Sequence, residues 1–428
     1  SPPQPAPQVG PPAYNELRTF VVCAKLDCSR FDRVGARAKA INSKVAIFLD
    51  TLAPAGGLVS VPLDSVARVF DQRLYAIDTT AFGRESDINA DSVVMVLMTN
   101  TVNKLVTASE CTDPTGGFVA GFFFGVDIDP HFSNDSRSNK AEVFYSIVAD
   151  PAGTLSCPHS AVELQALVPV TFIHEFQHMI SFNQHVLVRG QNGEVLWLNE
   201  GLSHYAEELG GRSYEANPDA RMADCIIGQT TCRFYVGNLL NAYDYLDSTA
   251  KHFLLPTEGI GSLAERGAQW LFVRYLVDQY AGTTTTEWNT FTRKLVQTSQ
   301  VGAANVEASS GDQFEDIVSR WGLANWVTDL TPHAELKYVS WNMHAVFSSL
   351  HTQRPSPTGP FPKFYPLTPT VSAGRDIDST GTLLSGSPIY YLATQAAGDP
   401  GFTLGFTAPS GALISAALKP RLNVYRLQ

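Results

Sequence analysis

The amino-acid sequence predicts an α+β protein with three parts: an N-terminal half that supplies a sheet, a helical half, and a C-terminal β-sandwich. Three observations predict it. Short apolar and β-branched runs recur up to Val148. Apolar spacings of three and four residues take over from Ala161 and continue to Leu330. Beyond His333, prolines at 355, 357, 360, 362, 366 and 369 break regular structure, and short alternating runs follow. A chain of 428 residues exceeds one ordinary core, so several folding parts are expected. They are an extended arm over 1–13, a sheet-forming part over 14–160, a helical part over 161–332 and a β domain over 333–428.

Taken in order, the arm is proline-rich and reads as extended. The run Thr19 to Cys23 is β-branched and reads as a strand, while Ala36 to Ile41 is ambiguous. Lys44 to Asp50 and Ser92 to Met98 are continuous apolar runs, as buried strands require. Between them, Val66, Val69 and Phe70 carry helical spacing within Ser60 to Leu74. Gly116 to Val126 is apolar and glycine-rich, and reads as a buried strand pair. Glu142 to Val148 adds another strand. Helices are expected over 161–182, 198–209, 261–280, 287–298 and 313–330. The 261–280 helix carries Leu263, Trp270, Leu271, Val273, Leu276 and Val277, which is core spacing. No repeat of fixed period is present.

Composition narrows the function classes. A net charge of −11 disfavours non-specific nucleic-acid binding, which needs a basic surface. No apolar run reaches the length of a membrane span. Of the six cysteines, Cys23/Cys28 and Cys225/Cys232 are close enough in sequence to close small loops and Cys111/Cys157 would be the remaining pair; spacing leaves the connectivity open, and six reduced core cysteines are the alternative. An even number of cysteines fits an oxidising compartment, and a first residue other than Met suggests a processed chain, so a secreted or otherwise extracytoplasmic setting is expected.

The chemistry concentrates between Thr171 and Gly211. His174-Glu175-Phe176-Gln177-His178 matches His-Glu-x-x-His. On a helix, residues four apart share one face, so both imidazoles can reach a single metal ion. Glu175 stands about 100° round the helix, where a carboxylate can meet a water on that metal. The surrounding helix is apolar at Leu164, Leu167, Val168, Phe172, Ile173, Phe176, Met179 and Ile180. Such packing fixes the rotamers that metal ligands need. The competing reading is a core helix with two structural histidines. A third ligand is required, and spacing leaves it open. Glu200, His204, Glu207 and Glu208 share the next predicted helix, and His185 qualifies only if the first helix extends.

Thr171 to Ile180, followed by Trp197-Leu-Asn-Glu-Gly-Leu-Ser-His-Tyr-Ala-Glu207, resembles the gluzincin metallopeptidases. It is most similar to the hyicolysin-type neutral metallopeptidase family. The specific likeness covers about forty residues and extends loosely through 82–83, 87–91, 117–124, 139–145 and 267–280. The resemblance implies a gluzincin-like fold and a zinc cofactor held by His174, His178 and Glu200. Glu200 enters as the Glu of an Asn-Glu pair on a second helix. It also implies that Glu175 serves as general base and then general acid in hydrolysing protein or peptide substrates.

Departures from the resemblance shape three further expectations. His204 stands where thermolysin-like relatives place an Asp that orients a ligand His, so Asn199, His204, Glu207 or a carbonyl must do that work. Ala264-Glu-Arg-Gly-Ala268 lacks the oxyanion-binding Tyr of aminopeptidase gluzincins, leaving Arg266, Tyr243, Tyr245 and His252 as candidates. The Gly-x-Met-Glu-Asn element that anchors a free amine is absent, which favours endopeptidase over aminopeptidase action. A zinc-site protein without catalysis, and a binding module without metal, are the remaining alternatives. Calcium is a second cofactor expectation: Asp87-Ile-Asn89-Ala-Asp91 opens like a calcium loop. Ser92 and Met98, however, replace the Gly and Glu that such a loop carries at its sixth and twelfth positions.

Overall fold

The computed structural model describes residues 10–58, 60–113, 116–257, 259, 261–373, 377–401 and 403–427. The expected arm therefore lies, through residue 9, outside the described residues. The chain divides into two compact units. One comprises Ser1–Glu194, Ala206–Tyr214 and Thr292–Ser299; the other comprises Val195–Tyr205, Glu215–Phe291 and Gln300–Gln428.

The first unit is built on a six-stranded sheet of order β1-β2-β3-β4-β6-β5. Its strands are β1 (Leu17–Cys23), β2 (Phe31–Ile41), β3 (Val45–Asp50), β4 (Val94–Met98), β5 (Gly121–Phe123) and β6 (Val143–Ser146). β1, β2 and β3 pair antiparallel, whereas β3-β4-β6 run parallel. The sequence explains the difference. β2 alternates, burying Val34, Ala36, Ala38 and Ala40, as a strand with one buried face does. β4 is buried at all five positions, as a parallel strand covered on both faces must be. The alternation of β2 is what the ambiguous 36–41 stretch concealed, because its small alanines carry little hydrophobic signal.

β5 closes the sheet as an antiparallel edge strand on β6, through Gly121↔Ser146 to Phe123↔Phe144. The buried strand pair expected for 116–126 is not what forms. Only three of those residues pair, and all three are half-buried. Residues 116–120 contribute no strand, so β5 takes β6 as its partner.

Helices α1 (Ser60–Val69) and α2 (Tyr75–Ala81) are joined without a break by a π-helical turn, Phe70–Leu74. That turn places Phe70 at the centre of an aromatic cluster. Two short helices follow, α3 (Asn100–Asn103) and α4 (Ala108–Thr112). The long helix α5 (Ala161–Phe182) starts with a capping box, in which Ser160 and Glu163 satisfy each other's backbone N–H groups. Its buried face brings Phe172 and Phe176 onto Phe70, with ring centroids 6.2 and 5.2 Å away. Phe172 also meets Phe144 of β6 at 5.2 Å, and Phe176 stacks on Tyr75 at 5.3 Å. Helix α6 (Leu196–Arg212) starts in the second unit and ends in the first.

The second unit is mainly helical: α7 (Thr230–Asp247), α8 (Leu263–Tyr280), α10 (Gly302–Ser310), α11 (Phe314–Val327) and α12 (Met343–Gln353). Helix α9 (Thr285–Val296), like α6, divides between the units. α8 buries Trp270, Phe272, Tyr275 and Leu276 completely. Trp270 and Tyr235 each meet Trp341 edge-on, at 5.9 and 5.2 Å.

The C-terminal β-sandwich is not found among the described residues. The region contains α12, which buries Val346, Phe347 and Leu350 at helical spacing. It also contains one parallel two-stranded pair, β7 (Thr370–Ala373) with β8 (Tyr391–Thr394). The later alternating runs stay outside any sheet, with Leu413 91 % and Val424 75 % exposed. Alternation marks a strand only when a second sheet covers its apolar face, and none is present among the described residues.

All three disulfides expected from spacing are formed: Cys23–Cys28, Cys111–Cys157 and Cys225–Cys232. No described helix is long and apolar enough to cross a membrane.

Phe176 is completely buried among Phe70 and Tyr75. Phe176→Ala leaves a cavity there and is expected to cost about 3–5 kcal/mol. Chemical denaturation reads this as a lowered midpoint of the transition that reports on the first unit; an unchanged midpoint contradicts the packing described.

Candidate metal centre

Helix α5 carries the His-Glu-x-x-His residues on a well-packed scaffold. His174 and Glu175 are 8 % and 5 % exposed, and His178 is partly exposed. Burial of Phe172, Ile173, Phe176 and Met179 around them holds the helix in one rotation. The two imidazoles converge. His178 Nε2 lies 3.2 Å from His174 Nε2, with ring planes at 80°.

His174 Nδ1 donates to Glu207 Oε1 at 2.7 Å. A carboxylate only accepts, so the proton of the neutral ring resides on Nδ1 and the lone pair is left on Nε2. This is the arrangement in which an outer carboxylate orients a metal-binding histidine. Two imidazole nitrogens on a tetrahedral zinc, with bonds of about 2.0–2.1 Å, sit roughly 3.3 Å apart. The 3.2 Å separation found here fits that requirement.

In the first unit the candidate ligands are His174 and His178 on α5 and Glu207 on α6; the part of α6 that belongs to the second unit carries two further metal-ligating side chains, Glu200 and His204. Glu200 and His204 are 6 % and 7 % exposed and belong to the second unit. Glu207 belongs to the first and is engaged by His174. Glu208 is turned elsewhere, its carboxylate accepting from Arg212 at 2.6 Å in a fully buried pair.

His185 is not brought to the motif histidines. A π-helical turn, Asn183–Leu187, continues α5 and carries His185 into a closed environment. Both ring nitrogens are buried without a hydrogen-bond partner, and Glu194 Oε2 lies 3.8 Å from His185 Nε2. Burial, with the Arg189 charge nearby, pulls the imidazole down to about 4.

One neighbour escaped the sequence reading altogether. Asp78 on α2 is wholly buried, and neither carboxyl oxygen has a hydrogen-bond partner. Burial pushes it well above the usual carboxylate range, with the nearby His174 ring opposing the rise. Its only signal in the sequence was an acid following Tyr75, Ala76 and Ile77. The other missed feature is Gly121. A Cβ there would stand 2.6 Å from Thr171 Cγ2 and from the Tyr145 carbonyl oxygen, and 3.4 Å from Glu175 Cγ. Only glycine lets edge strand β5 approach α5 this closely.

The oxyanion candidates separate. Tyr245 is buried against Ser387, and Tyr243 is buried and engages Lys363. His252 meets Ser248. Arg266 lies 4.0 Å from Glu200. At the expected calcium loop, Asn89 bonds Asp91, while Asp87 accepts from Ser92 N and Asp91 from Val93 N. These acids thus close their own turn, and among the described residues they are not one of the groups whose donor atoms converge.

The comparisons agree with this chemistry. The chain is 28 % identical over 148 residues to the neutral metalloprotease ShpI of Staphylococcus hyicus. The match covers 34 % of this chain and 30 % of ShpI, so the chain spans about a third of that relative's length. No protein-family model matches. The chain is thus related in part to a metalloprotease, and its histidines and carboxylates suit a metal. The three disulfides fit an extracytoplasmic setting.

His185 also sets a pH dependence. Its folded value, about 4, lies below the ordinary 6.5, so folding excludes its proton. The stability this group contributes is present above pH 6.5 and is lost as pH falls from 6.5 towards 4. Melting temperature followed across that window should fall more steeply for the wild type than for His185→Gln. Parallel slopes would contradict the buried neutral ring.

Proposed function

We propose that the chain is a secreted zinc-dependent endopeptidase acting on proteins or peptides. His174, His178 and Glu200 bind the metal, and Glu175 is the general base and acid. The observation that carries this reading is the meeting of His174 and His178 nitrogens at 3.2 Å, with His174 held by Glu207 from behind. Glu200 precedes Glu207 by seven residues on α6, two turns back on one helix face. Two histidines and a glutamate form a known catalytic zinc set, whereas structural zinc sites favour cysteine.

A zinc ion, when bound, supplies a Lewis acid that polarises the peptide carbonyl and acidifies water to a pKa near 7. Glu175 then takes the proton of the attacking water on its carboxylate. It later returns that proton to the departing amine nitrogen. Burial of Glu175 at 5 % exposure shortens the range of competing solvent. Glu207 accepts from His174 Nδ1 throughout and so keeps that ring in one tautomer.

Cleavage within chains, rather than at a free N-terminus, is supported by β5. It is the edge of the sheet, and Gly121 brings it against the stem of Glu175. An extended peptide can add to such an edge through main-chain hydrogen bonds, which need no terminal amine.

The test is digestion of casein by wild type and Glu175→Gln side by side. The wild type should cut and a chelator should stop it. Glu175→Gln should keep near-stoichiometric zinc and lose activity by about 100- to 10,000-fold. Equal cutting by both proteins, or a wild type without zinc, sinks the proposal. Cutting restricted to peptides with free N-termini would convert it to an aminopeptidase.

A further inference from the structure

Arg266 sits in the first turn of α8, directly after the capping box formed by Ser262 and Glu265. Its guanidinium offers five N–H donors in a planar fork. No hydrogen bond is made by it among the described residues, and Nε is buried without a partner. Buried donors are seldom left unspent, so such a group is either a cost borne by the fold or reserved for a partner. Among the described residues its ion-pair contact is with Glu200, whose Oε2 lies 4.0 Å from Arg266 Nε. The two side chains are 22 % and 8 % exposed, so water screens this pair less than a surface pair.

The placement is enforced by two glycines, each next to one member of the pair. A Cβ on Gly201 would stand 2.8 Å from the Gln269 carbonyl oxygen and from Val273 Cγ2 of α8. A Cβ on Gly267 would stand 2.2 Å from the Asn241 carbonyl of α7. The backbones that carry Glu200 and Arg266 are thus seated by direct backbone approach, which no other residue allows. Two glycines thus seat a half-buried cation beside a buried carboxylate, a placement that stability alone does not explain, since such pairs seldom add much.

We propose that Arg266 is the positioning residue for Glu200. Its guanidinium holds one carboxylate oxygen, so that the other is presented to the metal in a single orientation. The proposal rests on Glu200 being a ligand and deepens that reading. At 4.0 Å the contact is a charge contact. A carboxylate that commits one oxygen to a metal leaves the second free to accept from the fork. The planar fork matters, because an ammonium attracts the carboxylate without orienting it.

The experiment measures zinc affinity by chelator competition for the full chain as wild type, Glu200→Gln, Arg266→Gln and Arg266→Lys. Melting of the metal-free forms reports folding. Arg266→Gln should weaken zinc binding about 10- to 100-fold while the metal-free melt stays near that of the wild type. Arg266→Lys should recover only part of the loss. Should Arg266→Gln fail to fold, Arg266→Lys carries the test, with about a 3- to 10-fold loss expected. Zinc affinity unchanged in the folded Arg266 variants, with Glu200→Gln weakened, overturns the role of Arg266 alone. Zinc affinity unchanged in Glu200→Gln overturns the ligand assignment as well.

Discussion

The hydrogen bond from His174 to Glu207 is the constraint on which the metal-binding character of the chain depends. An imidazole has two nitrogens and, when neutral, one proton. By accepting from Nδ1, Glu207 determines that the lone pair is on Nε2, the nitrogen that faces His178. Without it the ring could present a proton where a metal needs an electron pair. Both partners are buried, so water does not compete for either.

That bond is useful only if the helix beneath it does not turn. The aromatic cluster around Phe70 supplies the resistance. Phe172 and Phe176 lie on the same helix as the histidines, and rotating α5 to move one would withdraw the others from Phe70, Tyr75 and Phe144. The π-helical turn that carries Phe70 interrupts an otherwise regular helix, and such turns recur where a side chain must be re-aimed. A purely apolar cluster thus decides the direction in which two polar rings point.

Much of this was legible in the sequence. The continuous apolar runs identified β3 and β4, and the His-Glu-x-x-His spacing located its helix face without reference to any fold. Cysteine spacing suggested the disulfide pairs without fixing their connectivity. What could not be read was whatever depends on a distant partner. Glu207 was one of several candidates for orienting His174 because sequence spacing does not show which carboxylate meets the outer nitrogen. The approach of Gly121 to Glu175 involves residues 54 positions apart, and a lone glycine in an apolar run carries no trace of it. The C-terminal runs misled for the opposite reason. Their alternation was real, but alternation records a half-apolar segment, whether or not a sheet exists to receive it.

The Cys111–Cys157 bridge has a consequence for the lifetime of the molecule. It closes a ring that contains β5, β6 and an exposed stretch at 130–134. Exposed irregular segments are where proteolytic nicks fall. A cut anywhere in that stretch opens the ring but releases nothing. The edge strand stays tethered on both sides, through the backbone and through sulfur. Damage at this surface is thereby confined to a clipped, covalently joined chain, so that a cut in this loop leaves the elements beside Glu175 linked.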